Sequence, residues 1–390
     1  MGRQPMAGPN SATHTATATE DSSQFGLHAF WYIACESHEL TASQPLARTI
    51  LDERIVLFRD EHNQAVALRD RCMHRSAPLS KGSVRDGCIQ CPYHGWTYNA
   101  QGQVVSVPCE EEDPTAIRGH QKRFDGVKRN AVRHDVCEQE NYVYVRLHQD
   151  HPSGKTKKNP SDPVSTAGAD SILPFSMPCH KKPGYKHVRL QNRFDNSVVN
   201  CAENFIDIPH TVFVHPGIFR KSRRQKITAT ASLSKGQVHV TYEGETDNLG
   251  WFRIFLNPSK APIEHEDHYI MPNVTMVEYR FGPKRHLFIT SQSVPINDSQ
   301  SLVYTDLTFD YGIWTWLASP IIRWQGQKVI DQDVEILAQQ MENIKRYGDS
   351  FAHTAADTIH LYVEQIWNEL LHQRDPRLLD ERTKTFSFWV

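Results

Sequence analysis

Two short clusters, Cys72-Met73-His74 and Cys91-Pro92-Tyr93-His94, are separated by sixteen residues. Each offers one thiol and one imidazole and is short enough to lie at the tip of a hairpin loop. A Cys₂His₂ set can hold a tetrahedral zinc ion. It can equally hold a [2Fe–2S] cluster, with two thiolates on one iron and two imidazoles on the other. Zinc would only brace the fold, whereas the cluster would carry single electrons. Zinc sites usually pair Cys with Cys and His with His along the chain, and here each cluster supplies one of each. Cys88-Ile89-Gln90-Cys91 does provide a C-x-x-C, so composition alone leaves zinc open.

The flanking residues, Arg71-Cys72-Met73-His74-Arg75 and Cys91-Pro92-Tyr93-His94-Gly95-Trp96, resemble the Rieske iron–sulfur family. Gly95-Trp96 is a trait of that family with no part in zinc binding. The resemblance implies that Cys72 and Cys91 hold one iron of the cluster and His74 and His94 the other. Imidazoles in place of two thiolates raise the reduction potential and leave nitrogens that can release a proton on oxidation. Respiratory members carry an extra cysteine in each loop, joined in a disulfide. Ala77 and Tyr93 stand at those positions here, so the resemblance is to the lower-potential branch that feeds oxygenases or forms small ferredoxins.

A second constellation follows, Glu203-Asn-Phe-Ile-Asp207-Ile-Pro-His210-Thr-Val-Phe-Val-His215. It resembles the motif by which Rieske oxygenases hold a mononuclear non-haem iron, two histidines and one carboxylate on one face of Fe(II). The resemblance implies His210 and His215 as imidazole ligands and Asp207 as a bridging carboxylate. Asp207 would steady a ligand histidine and face the cluster of a neighbouring subunit. Glu203, Asp207 and His210 are spaced by four and three, which predicts one stripe of a helix. His215 falls off that stripe, so the helix is expected to break between the histidines, with Pro209 and Pro216 as the means. The third ligand is expected much later, where Asp331 and Asp333 compete. Ile330, Val334, Leu337, Met341 and Ile344 mark the buried face of a helix. Asp333 borders that face and Asp331 points away, and the family pattern Asp-Val-x-Ile also selects Asp333.

The resemblance implies an enzyme, a Rieske non-haem iron oxygenase with one [2Fe–2S] cluster and one mononuclear Fe(II) per chain. Its expected reaction is hydroxylation or oxidative demethylation of a small apolar or aromatic molecule with O₂. Ring cis-dihydroxylation is the alternative within the family, and a Rieske electron carrier without oxygenase activity the alternative outside it. The chain carries neither a G-x-G-x-x-G fingerprint nor a plant-type C-x₄-C-x₂-C run. Electrons from NAD(P)H would therefore arrive through a separate reductase, with or without a ferredoxin. A head-to-tail homotrimer is the implied assembly.

Positioning these residues needs two units. Short β-branched and aromatic runs between turn residues (Trp31–Ala34, Ile55–Phe58, Ala65–Leu68, Tyr142–Leu147) predict an all-β cluster domain over residues 25–150. Asn99–Gly102 reads as a hairpin turn. Residues 151–170 have the composition of a linker, and 1–24 that of a disordered tail. Residues 171–390 are expected to form an α+β catalytic domain, an antiparallel sheet with helices of helix-grip type. Its helices are predicted near Asp195–Pro209, Arg323–Tyr347 and His353–His372. Apolar residues make up 39% of the 390 and net charge is −2, which gives no reason to expect nucleic-acid binding. The longest apolar stretch, Tyr311–Ile322, is too short to span a bilayer. Scattered cysteines favour a reducing, cytoplasmic compartment. The basic run Arg220–Lys226 is either a docking patch for an acidic electron donor or a solvated loop. Phe205, Phe213, Ile218, Trp251 and Phe252 are candidates for an apolar pocket or for plain core packing.

Overall fold

The structure, a computed structural model, describes residues 25–110, 129–148, 173–216, 225–245, 257, 262–282 and 285–390. The expected tail at 1–24 and linker at 151–170 lie outside these residues, as do Ile218, Trp251, Phe252 and most of the basic run.

The N-terminal region is all β. Strands β1 (Tyr32–Glu36), β2 (Leu46–Ile50), β3 (Glu53–Arg59) and β4 (Ala65–Arg69) precede a small sheet of β5 (Ser83–Arg85), β6 (Cys88–Gln90), β7 (Thr97–Tyr98) and β8 (Val104–Ser106). After it come β9 (Arg133–Gln139) and β10 (Tyr142–Arg146), which complete a six-stranded sheet of order β1-β10-β9-β4-β3-β2. Alternation along β3 explains why it is buried on both faces. Ile55 and Leu57 enter one core, while Val56 and Phe58 join Cys72, Cys91, Trp96 and Tyr98 in the core beneath the cluster loops. The Asn99–Gly102 turn forms as expected, with Asn99 Oδ1 accepting from the Gln101 and Gln103 amides.

Beyond it, β11 (Lys186–Phe194) leads to helix α1 (Val198–Ile206) and the single turn α2 (Thr211–Val214). Strands β12 (Lys226–Ser234), β13 (Gln237–Glu243), β14 (Ile263–Ile270), β15 (Val274–Phe281), β16 (His286–Asn297) and β17 (Gln300–Asp310) follow. Helices α3 (Thr315–Tyr347) and α4 (Thr358–Leu371) and strand β18 (Arg382–Trp389) close the chain. The sheet is eight-stranded and antiparallel, in the order β11-β17-β16-β15-β14-β13-β12-β18. This is the expected all-β unit followed by an α+β unit.

Helix α3 starts eight residues before the predicted Arg323, inside the apolar stretch that begins at Tyr311. Periodicity missed these first two turns because only Thr315 and Ala318 are buried there, while Trp316 and Leu317 are exposed. Gly326 lets α3 lie close on the sheet, since a Cβ there would meet Leu307 Cδ1 at 2.7 Å. Among the described residues, no helix is long and apolar enough to cross a membrane.

The two units share a core. Ile33, Tyr142 and Tyr144 pack in one cluster with Ala229, Val240, Val294 and Tyr304. At its centre the Tyr142 hydroxyl donates to Asp306 Oδ2 at 2.7 Å, and Arg189 Nε donates to Asp306 Oδ1 at 3.0 Å. Burial pushes the Asp306 carboxyl up despite these partners.

Candidate metal centres

The first constellation sits on two loops at the end of the small sheet. In the loop after β4, the Cys72 amide donates to Ala77 O at 2.8 Å and the Ser76 amide to Cys72 O at 2.9 Å. In the loop after β6, the Cys91 amide donates to Trp96 O at 2.8 Å and Gly95 to Cys91 O at 3.2 Å. Gly95 has φ +72°, and a Cβ would meet Pro108 Cγ at 2.9 Å, so the second loop needs glycine there. The loops bring all four predicted residues together. Cys72 and Cys91 are buried, His74 is half-buried and His94 exposed. The two imidazoles are 4.5 Å apart between centroids, and His74 stacks on Trp96 at 5.0 Å. The Tyr98 hydroxyl is 3.3 Å from Cys72 Sγ and accepts from the Met73 amide at 3.0 Å.

Whether these residues suit a cluster can be tested on their own chemistry. His74 Nδ1 is buried without a hydrogen-bond partner, a costly state that a metal would relieve. Burial and the adjacent Cys72 thiol push the Cys91 pKa up, so two thiols crowd a site where a metal would take two thiolates. The donor set fits the group.

The second constellation is assembled differently. Ser197 Oγ caps the start of α1, accepting from the Asn200 amide at 3.2 Å. The helix does not run on to His210 as the spacing predicted. It ends at Ile206, Asp207 is extended, and the chain turns through Pro209 into α2. Asp207 Oδ2 drives this turn by accepting the His210 amide at 3.0 Å, and a short polar side chain holding the backbone two or three residues on competes with the helix. Glu203 consequently does not join the site and faces His360 Nδ1 at 3.1 Å. His210 and His215 bracket α2 and turn toward α3. There Asp333 Oδ1 lies 3.1 Å from His215 Nε2 and 3.8 Å from His210 Nε2. Asp331 lies on the exposed side of α3, bonded to Gln327.

This triad also suits a cation. The ligand atoms of His210, His215 and Asp333 all lie within 4.8 Å of one another, with Asp333 Oδ1 buried among them. Burial opposes a charge on His215, yet Asp333 and the Gln332 hydrogen bond raise its pKa above the ordinary value. The pocket therefore draws positive charge. Gln332 Oε1 lies 2.9 Å from His215 Nδ1. An amide oxygen only accepts, so Nδ1 carries the proton and Nε2 is the atom presented to a metal. Asp207 Oδ2 stands 3.4 Å from His210 Nδ1 in the corresponding place. The sequence reading passed over Gln332, although its place next to Asp333 on α3 was the available signal.

Above the triad lies a cavity of about 210 Å³, mostly apolar, with Ile208, Val277, Ile289, Leu307, Ile322 and Val329 in its walls. Phe205 lines it and also packs against the core, so it fills both of the roles left open by the sequence. Phe213 does not, for it is 84% exposed on the outer side of α2. The cavity also holds a polar group that the sequence reading missed. His265 Nδ1 is 2.8 Å from Glu245 Oε2, and His265 Nε2 is 3.0 Å from Asp267 Oδ1. His265 and Asp267 are two apart on β14, and this period-2 spacing was the signal that both face one side.

Residues 30–129 match the Rieske [2Fe-2S] domain family, and residues 195–373 match the vanillate O-demethylase oxygenase C-terminal domain family. The oxygenase component of dicamba O-demethylase from Stenotrophomonas maltophilia is 24% identical over 82% of this chain and 89% of its own. Methylxanthine N1-demethylase NdmA from Pseudomonas putida is 29% identical over 61% and 59%. The toluene-4-sulfonate monooxygenase system iron-sulfur subunit TsaM1 from Comamonas testosteroni is 31% identical over 48% and 46%. Against relatives of the last kind the match spans about half their length. The crystal structure of dicamba monooxygenase bound to dicamba superposes with a TM-score of 0.69 at 20% identity, covering 88% of this chain and 96% of that one. It shows the same fold.

A Rieske domain joined to an α+β unit with a His–His–Asp triad defines a two-centre oxygenase architecture. The chain belongs to the Rieske non-haem iron oxygenases, in their demethylase and monooxygenase branch.

Proposed function

We propose that this chain is the oxygenase component of a system that hydroxylates or oxidatively demethylates a small, mainly apolar organic molecule with O₂. The observation that carries this reading is the convergence of His210, His215 and Asp333 beneath an apolar cavity, in a chain with a Rieske domain. Cys72, His74, Cys91 and His94 would hold the cluster, and His210, His215 and Asp333 a mononuclear Fe(II). Loaded there, the cluster supplies single electrons and the iron the activation of O₂.

The chain's own part is to place and shield. Gln332 fixes the His215 ring, and the apolar walls exclude water and hold the target carbon over the triad. Asp207 is part-exposed with Oδ2 3.4 Å from His210 Nδ1, and would couple that histidine to an electron donor outside this subunit. A homotrimer in which the neighbour's cluster approaches Asp207 answers that need, with a separate reductase, and with or without a ferredoxin, drawing on NAD(P)H. The name of TsaM1, an iron-sulfur subunit of a monooxygenase system, is in keeping with such a division of labour. None of the eight cysteines is joined in a disulfide, which suits a reducing, cytoplasmic setting.

The test is a substrate screen with iron-loaded protein, a surrogate reductase and O₂, scored for a product one oxygen heavier or for formaldehyde. Rieske visible absorption and a nitric-oxide signal from a second iron are expected in the same preparation. A colourless protein, or one whose second iron never reacts with nitric oxide, would overturn the reading.

A further inference from the structure

Strand β14 carries chemistry on both of its faces. His265 and Asp267 look into the cavity, so the alternation of a strand turns Glu266 and His268 to the opposite side of the sheet. There His268 stands directly across from His239 of β13, and Glu266 lies one diagonal step away, opposite Thr241. The His239 and His268 rings stack with centroids 4.5 Å apart and planes within 12°. Both present Nε2 to the same oxygen, Glu266 Oε2, at 2.9 Å and 3.8 Å. One ligand atom from each of the three residues lies within 4.8 Å of the other two.

This donor set has a chemical preference. Two imidazole nitrogens and one carboxylate oxygen suit zinc, which takes His₂Glu sets and leaves its fourth position open. Hard cations such as magnesium prefer oxygen ligands throughout. The other oxygen of the carboxylate, Glu266 Oε1, faces Arg280 Nη1 at 3.8 Å, and Arg280 is held more closely by Glu278 Oε1 at 2.5 Å. Oε2 is therefore the oxygen turned to the histidines. Strands β13 and β14 are interior to the eight-stranded sheet, so hydrogen bonding on both sides fixes the backbone beneath all three ligands and little has to be ordered on binding. The three side chains are part-exposed, so an ion reaches them directly from solvent.

We propose that His239, Glu266 and His268 form a zinc-binding site on the face of the sheet away from the cavity, with three protein ligands and a fourth position open to water. The ion takes the place of the proton that His239 Nε2 donates to Glu266, and the ring keeps its proton on Nδ1. The site shares no residue with the two iron centres and does not depend on the oxygenase reading.

Zinc chloride titrated by calorimetry into the full-length, iron-loaded protein tests it, with iron content and visible absorption followed in the same samples. One equivalent is expected to bind with a dissociation constant of about 10 µM or tighter, with no iron displaced. His239→Ala and His268→Ala should each weaken it by at least about tenfold, since a lost supporting group alone costs roughly 10–100-fold. Magnesium chloride should not bind over the same concentrations. Zinc held at full affinity in both variants, zinc taken up only as iron leaves, or magnesium bound as well as zinc overturns the proposal. The two histidines lie on different strands, so either variant that folds decides. If neither folds, the wild-type stoichiometry and the magnesium titration decide alone.

Discussion

The cluster loops take all four of their candidate ligands from residues 72–94, whereas the triad draws on residues 210, 215 and 333 from two helical segments. The first set opens outward: its thiols are buried, but His94 is exposed and Tyr93 beside it is 65% exposed. The second set closes inward, with His215 at 1% and Asp333 at 5%. The contrast follows from what each centre would have to do. An electron relay needs a short path to the surface, so its histidine edge faces solvent and whatever docks there. A site that activates O₂ needs water kept out and a carbon held in place, so it lies under an apolar cavity.

If the two centres are independent pockets, single substitutions should empty one and spare the other. Cys91→Ser is expected to abolish the Rieske absorption and all turnover, while the nitric-oxide signal of the second iron survives. Asp333→Ala should do the reverse, keeping the colour and losing the mononuclear iron and turnover. Metal analysis with visible and paramagnetic spectra checks both. Loss of both centres in either variant would mean that they are not separately built.

Structurally the two regions are far from independent. Asp306, 1% exposed, ties Tyr142 of the β unit to Arg189 of the other. Asp306→Ala would leave the half-buried Arg189 with the more distant Glu36 carboxylate at 3.8 Å, and breaking a buried pair costs about 3–5 kcal/mol at most. A denaturant titration should show that loss across the whole molecule in one transition. A second transition confined to one unit would show that the shared core does not couple them.

Asp207 probes the passage of electrons toward the triad. Asp207→Ala removes the group beside His210 Nδ1 and the acceptor of the His210 amide, and touches none of the triad's metal-facing atoms. Both metals are expected to stay bound, while coupled turnover falls by roughly 10–100-fold. Iron content, absorption and product yield per reducing equivalent check this. Undiminished product formation would remove Asp207 from the route.

How much of this was readable in the chain differs between the same two regions. The meeting of Cys72, His74, Cys91 and His94 was legible through the resemblance of the two loops, because loop chemistry is local: two short Cys/His clusters and a glycine fix their own geometry. The triad was legible only in part. Asp333 could be told from Asp331 by the 3.6-residue period of a long helix. The path from Glu203 to His210 was misread, because identical spacing serves a helix stripe or a helix end. What decided was Asp207 bonding the His210 amide, a tertiary detail no period reports. The Glu245–His265–Asp267 wall depends on which face of an eight-stranded sheet looks inward. That follows from register with neighbours far away in sequence, such as Asp267 opposite Val277.

The smallest expected effect belongs to Gln332, the residue that separates a triad merely assembled from one held in readiness. Its amide oxygen fixes the His215 tautomer from outside the metal-facing set. Gln332→Ala would leave the buried Nδ1–H unpaired and free the ring to turn, so iron affinity should fall by about tenfold with the cluster untouched. Gln332→Glu keeps an acceptor at the same reach and should restore most of the loss. Chelator competition at fixed Rieske absorbance reads both variants. Equal affinity in Gln332→Ala and wild type would show that His215 is oriented by Asp333 and burial alone.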